Sequence, residues 1–165
     1  DVKIPPMFRF GVVAQLPADM DMSEFYGRGP VENYCDRKES QRIGLYRQTA
    51  DEQFYPYVRP QETGTKADMR WWQQTDSNGF GLKVTADAPF YASALRYDVE
   101  TLNDGDAKEQ RHPEQMPRSK YVNLYLDSEH AGVGGINSWG YDARALPKYQ
   151  VKYGEKLFSF TISPL

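Results

Sequence analysis

Apolar and polar residues alternate with a period of two over much of the chain. Phe8, Phe10, Val12, Ala14 and Leu16 fall on one side of one such run, and Arg9, Gly11, Val13 and Gln15 on the other. Val122, Leu124 and Leu126 alternate with Tyr121, Asn123 and Tyr125, and Phe158, Phe160 and Ile162 with Leu157, Ser159 and Thr161. Successive strand side chains point to opposite faces, so these runs predict strands with one face on a core. Shorter runs predict further strands over 43–49, 67–74, 81–86 and 91–97. Turn chemistry separates them at Asp76-Ser77-Asn78-Gly79, Asp87-Ala88-Pro89 and Tyr153-Gly154-Glu155, and Asn78-Gly79 predicts a hairpin. Helical periodicity is nowhere sustained. The best helical stretch is Val99–Leu102, and the polar segment 103–120, with Pro113 and Pro117, reads as a long solvated loop. Many short strands with turns between them predict an all-β, antiparallel β-sandwich.

Composition narrows the function classes. The chain has 165 residues, a length that fits one domain with a real core. Its net charge is −3 and no basic stripe is present, which argues against nucleic-acid binding. No apolar run approaches the roughly 20 residues of a membrane span. No signal peptide is visible, and a start at Asp1 suggests a mature product or an excised fragment. The chain reads as soluble, with the compartment open between cytoplasm and periplasm. Aromatic residues reach 14%, which suits half-buried sheets and sugar-facing surfaces alike. Trp71 and Trp72 fall on opposite faces of one predicted strand, one of them in the core. Cys35 is the sole cysteine and has no histidine near it in sequence, which argues against a catalytic thiol.

The run from Tyr26 to Arg37, YGRGPVENYCDR, packs two glycines and a proline among charged and aromatic side chains. Pro30 restricts Gly29, and Gly27 and Gly29 permit unusual backbone angles, so the run reads as a shaped loop rather than a plain helix or strand. It resembles the signature of the C-terminal domain of large β-galactosidases of glycoside hydrolase family 2. Two further stretches are similar to that family in the same order: Asp51-Glu52-Gln53-Phe54-Tyr55-Pro56-Tyr57-Val58-Arg59-Pro60-Gln61-Glu62-Thr63-Gly64, and Gly132-Val133-Gly134-Gly135-Ile136-Asn137-Ser138-Trp139-Gly140. The family commonly has Asp-Asp where this chain has Ile136-Asn137.

The resemblance implies a galactose-mutarotase-like supersandwich, of which residues 1–165 would be the later part. It implies exposed sheet edges, which favour pairing with another chain or a second copy. It places the glutamates of a retaining glycosidase, and the ligands of its Mg²⁺, in a separate catalytic barrel of the same polypeptide. On that reading this chain holds no catalytic residue, metal ligand or cofactor, and is inactive alone. Its implied contribution to a galactoside substrate is Trp139, a platform for the sugar. The alternative for that residue is a core tryptophan beside a tight turn. Gly29 would be the hinge of a mobile loop, with Glu32 and Asn33 facing the barrel or the substrate. Asp36 and Arg37 would brace that loop. A rigid loop packed on the barrel is the competing expectation. The Tyr55–Gly64 stretch reads as interior packing or domain interface. Two other functions stay open: a free-standing carbohydrate-binding sandwich, and a purely structural interface domain.

Overall fold

A computed structural model describes residues 5–103, 111–135, 137 and 143–165. The chain runs through β1 (Arg9–Pro17), β2 (Met22–Gly29), β3 (Arg42–Thr49), α1 (Ala50–Gln53), β4 (Lys66–Thr75), β5 (Gly81–Leu95), α2 (Val99–Leu102), β6 (Tyr121–His130) and β7 (Phe160–Pro164). All seven strands join one antiparallel sheet in the order β1-β6-β5-β4-β2-β3, with β7 on β5. The fold is therefore all-β and antiparallel, consistent with the expected sandwich architecture. No helix among the described residues is long and apolar enough to cross a membrane.

The long strand β5 organises the sheet. One of its edges pairs with β4; the other is shared, Leu82–Ala86 with β7 and Tyr91–Leu95 with β6. The turn expected at Asp87-Ala88-Pro89 is instead a bulge within this strand. Trp71 pairs with Thr85 and Met69 with Phe90, so four residues of β5 oppose the single Arg70 of β4. The three bulged residues are exposed while Val84 and Phe90 enter the core on either side. Core burial on both sides holds the chain in one strand.

Tyr26–Gly29 also departs from expectation. These residues finish β2 and pair with β3, Gly27 opposite Gly44 and Gly29 opposite Arg42, so the irregular loop begins only at Pro30. The Gly29-Pro30 peptide is cis. Strand β6 differs in burial: every residue from Val122 to Asp127 is buried, not one face alone; β1 and β5 flank the strand, and on its second face Arg9 meets Tyr125 and Asp127 while the Val99 amide donates to the Tyr125 hydroxyl.

The core lies on the inner face of β2, β4, β5 and β6. Phe25 and Trp72 stack there with ring centroids 4.8 Å apart and planes 6° from parallel, packed by Met69, Val84, Phe90 and Leu124. On the outer face Trp71 is half-buried under Lys83, whose ammonium stands 4.8 Å from the ring centroid. The Asp76–Gly79 hairpin forms as predicted. Asp76 Oδ1 accepts from the amides of Asn78 and Phe80, and Gly79 takes the left-handed angle φ +86°. Thr49 and Glu52 form a capping box at the start of α1, a helix the alternation did not suggest.

Candidate functional site

Three sequence-distant segments meet around one open cleft of about 920 Å³. Arg37 comes from the loop after β2. Tyr57, Val58, Arg59, Gln61 and Glu62 come from the proline-rich segment between α1 and β4. Residues 131–134 come from the loop after β6, and Pro5–Phe8, Val99, Asn103, residues 143–145 and Gln150 add to the walls. Each of the three motif stretches therefore supplies lining. The proline-rich segment, expected to pack internally or at an interface, forms much of one wall.

A web of buried charge stands behind that wall. Glu62 accepts from Arg9 Nη2 at 2.5 Å, from Thr65 Oγ1 at 2.7 Å and from the Tyr34 hydroxyl at 3.2 Å. Burial alone would raise the Glu62 carboxyl, but His130, Arg9 and Thr65 hold it below its ordinary value. Arg9 Nη1 also lies 3.5 Å from Asp127 Oδ2. Burial dominates at Asp127 and pushes its carboxyl up to about 6 despite Arg9. Two carboxyl groups with separated proton affinities resemble the acid and base of a hydrolase. Here, however, Arg9 contacts both, and Asp127, 1% exposed, does not line the cleft.

Glu32 and Asn33 both turn inward, into this chain's own fold. The Glu32 carboxylate, 2% exposed, accepts from the Gly64 amide at 2.7 Å, from the Tyr57 hydroxyl and from Arg37 Nη2. Gly64 can meet it because its φ of +79° suits glycine, and a Cβ there would lie 2.7 Å from the Gln53 carbonyl oxygen. Asn33 is fully buried. Its amide nitrogen donates to the carbonyls of Arg28 and Val31, and its side-chain oxygen accepts from the Ala67 amide at 3.0 Å. Both side chains spend their polar groups on tying the loop to their own fold.

Gly29 ends a strand with φ outside the left-handed region. What excludes a larger residue is packing: a Cβ would lie 2.9 Å from the Tyr46 ring and 3.2 Å from Phe25. Asp36 crosses to the third motif, where Oδ2 accepts from the Gly134 amide at 2.7 Å. Arg37 is held by Glu32, by the Tyr57 oxygen at 3.0 Å and over the Tyr34 ring at 5.0 Å. Trp139 lies outside the described residues; residues 131–134 before it and 143–145 after it both line the cleft.

Burial, with Asp36 beside it, pushes the Cys35 thiol up, away from the thiolate a nucleophile requires. Among the described residues no three His, Cys, Asp or Glu side chains assemble as a metal site. Lys66 is 1% exposed and donates to the Gly64 carbonyl at 2.8 Å and to Gln53 Oε1 at 3.3 Å. Desolvation lowers it to about 7 even though the Glu32 charge opposes the shift. Sequence reasoning passed over Arg9, Lys66, Asp127 and His130. Their signal was charge or imidazole inside otherwise apolar strands, which predicts buried pairing but not the partner.

The profile of the beta galactosidase small chain family matches residues 1–163. The chain is similar to a beta-galactosidase of Priestia megaterium, 34% identical over 164 residues, or 98% of this chain and 15% of the relative. It is also similar to beta-galactosidase BgaC of Bifidobacterium adolescentis, 36% identical over 139 residues, or 82% of this chain and 13% of the relative. A beta-galactosidase of Lactobacillus delbrueckii subsp. bulgaricus is 37% identical over 132 residues, or 79% of this chain and 12% of the relative. The chain thus spans less than a sixth of the length of these curated relatives.

Proposed function

The chain belongs to the beta galactosidase small chain family, and we propose that it walls one side of a galactoside site whose reacting carboxyl groups lie elsewhere in a longer polypeptide. The observation that carries this reading is the convergence of all three motif stretches on one cleft. Two acidic groups beside that cleft support it. Glu32 and Glu62 are both tied up in hydrogen bonds and ion pairs with their own fold, so these two carboxylates are not arranged as a pair to flank a glycosidic bond. Hydrolysis is then the work of a retaining, family 2 catalytic barrel in the same polypeptide. Any Mg²⁺ belongs to that barrel, and the isolated chain is inactive.

Within this reading Trp139 is the sugar platform. An indole face that hides about 60 Å² of apolar sugar surface contributes roughly 1.5 kcal/mol, near tenfold in affinity. In the full-length enzyme, Trp139→Ala is expected to weaken aglycone binding by about 1–2 kcal/mol without abolishing chemistry. Unchanged kinetics with both lactose and an aryl galactoside would refute the assignment.

A free-standing carbohydrate-binding module is the second reading, favoured by a cleft of about 920 Å³ formed by this chain's own residues. Titration of the 165-residue chain with galactosides, followed by tryptophan fluorescence, separates the two. Millimolar binding lost in Trp139→Ala supports the module; absence of binding supports the wall of a composite site.

A further inference from the structure

Arg37, in the cleft wall, is both exposed and rigidly held. Arg37 has 44% of its side chain exposed, yet its guanidinium is fixed by Glu32, by the Tyr57 oxygen and by the ring of Tyr34. Tyr57 donates its proton to Glu32 and accepts from Arg37, so the two wall residues share one buried carboxylate as their anchor. That carboxylate is itself anchored by the Gly64 amide at 2.7 Å. Both hydrogen bonds of Arg37 are made through Nη2, which leaves Nε and Nη1 of the planar, multidentate guanidinium as the donors for a ligand in the cleft.

The chemistry of the fitting ligand follows from charge and shape. Glu32 neutralises Arg37, and Arg9 neutralises Glu62 in the same wall, so the charge at these two positions is already balanced, while Arg59 and Arg144 also line the cleft. Phe8, Val58 and Val133 expose apolar surface around the cleft, 44%, 77% and 37% respectively. Fixed donors beside apolar surface suit a neutral molecule that carries hydroxyl groups on its edges and C–H groups on its faces, the surface of a pyranose.

We propose that Arg37 and Tyr57, positioned by the buried carboxylate of Glu32, recognise the hydroxyl groups of a sugar leaving group and so favour saccharide over aryl aglycones. This inference rests on the composite-site reading above. Glu32 is a positioning residue; Arg37 contacts the sugar as a donor, and Tyr57, whose proton goes to Glu32, contacts it as an acceptor.

The test is the kinetics of the full-length polypeptide with lactose and with a nitrophenyl galactoside. Glu32→Gln keeps the volume but removes the charge that holds the guanidinium. The expected result is a KM for lactose about tenfold higher, against a two- to threefold rise for the aryl substrate, with kcat for lactose changed less than KM; tenfold is the loss of one well-placed hydrogen bond to a charged group. Arg37→Lys, at an exposed position, keeps the charge and loses the fork, and is expected to lose lactose selectively in the same way. Equal losses on both substrates in the two variants would show a merely structural role and overturn the inference. Selective loss by Trp139→Ala, with neither Glu32→Gln nor Arg37→Lys shifting the lactose-to-aryl ratio, would overturn it while leaving the composite site standing. No effect of any of the three variants would remove both.

Discussion

Lys66 stores a measurable dependence of stability on pH. Its ammonium is buried between α1 and β4, beside the Phe25 ring, and folding lowers its pKa from 10.5 to about 7. Above pH 7 the unfolded chain holds the lysine proton while the folded chain releases it. The unfolded state therefore binds more protons, and stability rises with pH across this window. The slope approaches 1.4 kcal/mol per pH unit once the folded lysine is neutral, so the group adds about 2 kcal/mol between pH 7 and pH 9. Lys66→Met keeps an unbranched side chain of similar length and removes the titration.

Urea unfolding of both proteins at pH 7, 8 and 9 measures the difference. With a denaturant dependence of about 2 kcal/mol per molar, the wild-type midpoint should gain about 1 M relative to the variant over that range. The constant offset between the two proteins is not the test, because Lys66→Met also abandons the Gly64 carbonyl and Gln53 Oε1. Other groups that titrate in this window act on both proteins and cancel. Midpoints that stay a constant distance apart from pH 7 to 9 would refute the assignment of a neutral Lys66 to the folded state.

Asp36→Ala removes the acceptor for the Gly134 amide. It should lower hydrogen-exchange protection of that amide at least tenfold while the strands keep theirs, in line with about 1.5–3 kcal/mol for a bond to a charged group. Unaltered protection would show that this bond does not hold the loop. Trp72→Ala opens a cavity beneath the Phe25 ring and should cost about 3–5 kcal/mol in unfolding free energy. A loss under 1 kcal/mol would mean that the stack does not anchor the core.

Much of the architecture follows from local pattern, because a strand needs only one residue in two to be apolar for its faces to sort. The alternation in Phe8–Leu16 and Tyr121–Leu126 located β1 and β6, and Asp76–Gly79 located the β4–β5 hairpin. The three motif stretches sufficed to identify the family. Capping chemistry at Thr49 and Glu52 was present in the sequence too, though a four-residue helix leaves no periodicity to read.

Tertiary structure decided the rest, because local sequence cannot say what a residue will pack against. Asp87-Ala88-Pro89 has the composition of a turn, yet Val84 and Phe90 are both drawn into the core and the strand runs on. Gly29 has the composition of a hinge, but it is required by the rings of Tyr46 and Phe25, which arrive from strand positions outside the motif. Glu32 and Asn33 look solvent-seeking in an irregular loop. They turn inward because the amides of Gly64 and Ala67, more than thirty positions away, offer them hydrogen bonds where water cannot. A sequence records which side chains can leave water; only the folded chain supplies the distant partner that lets a charge do so.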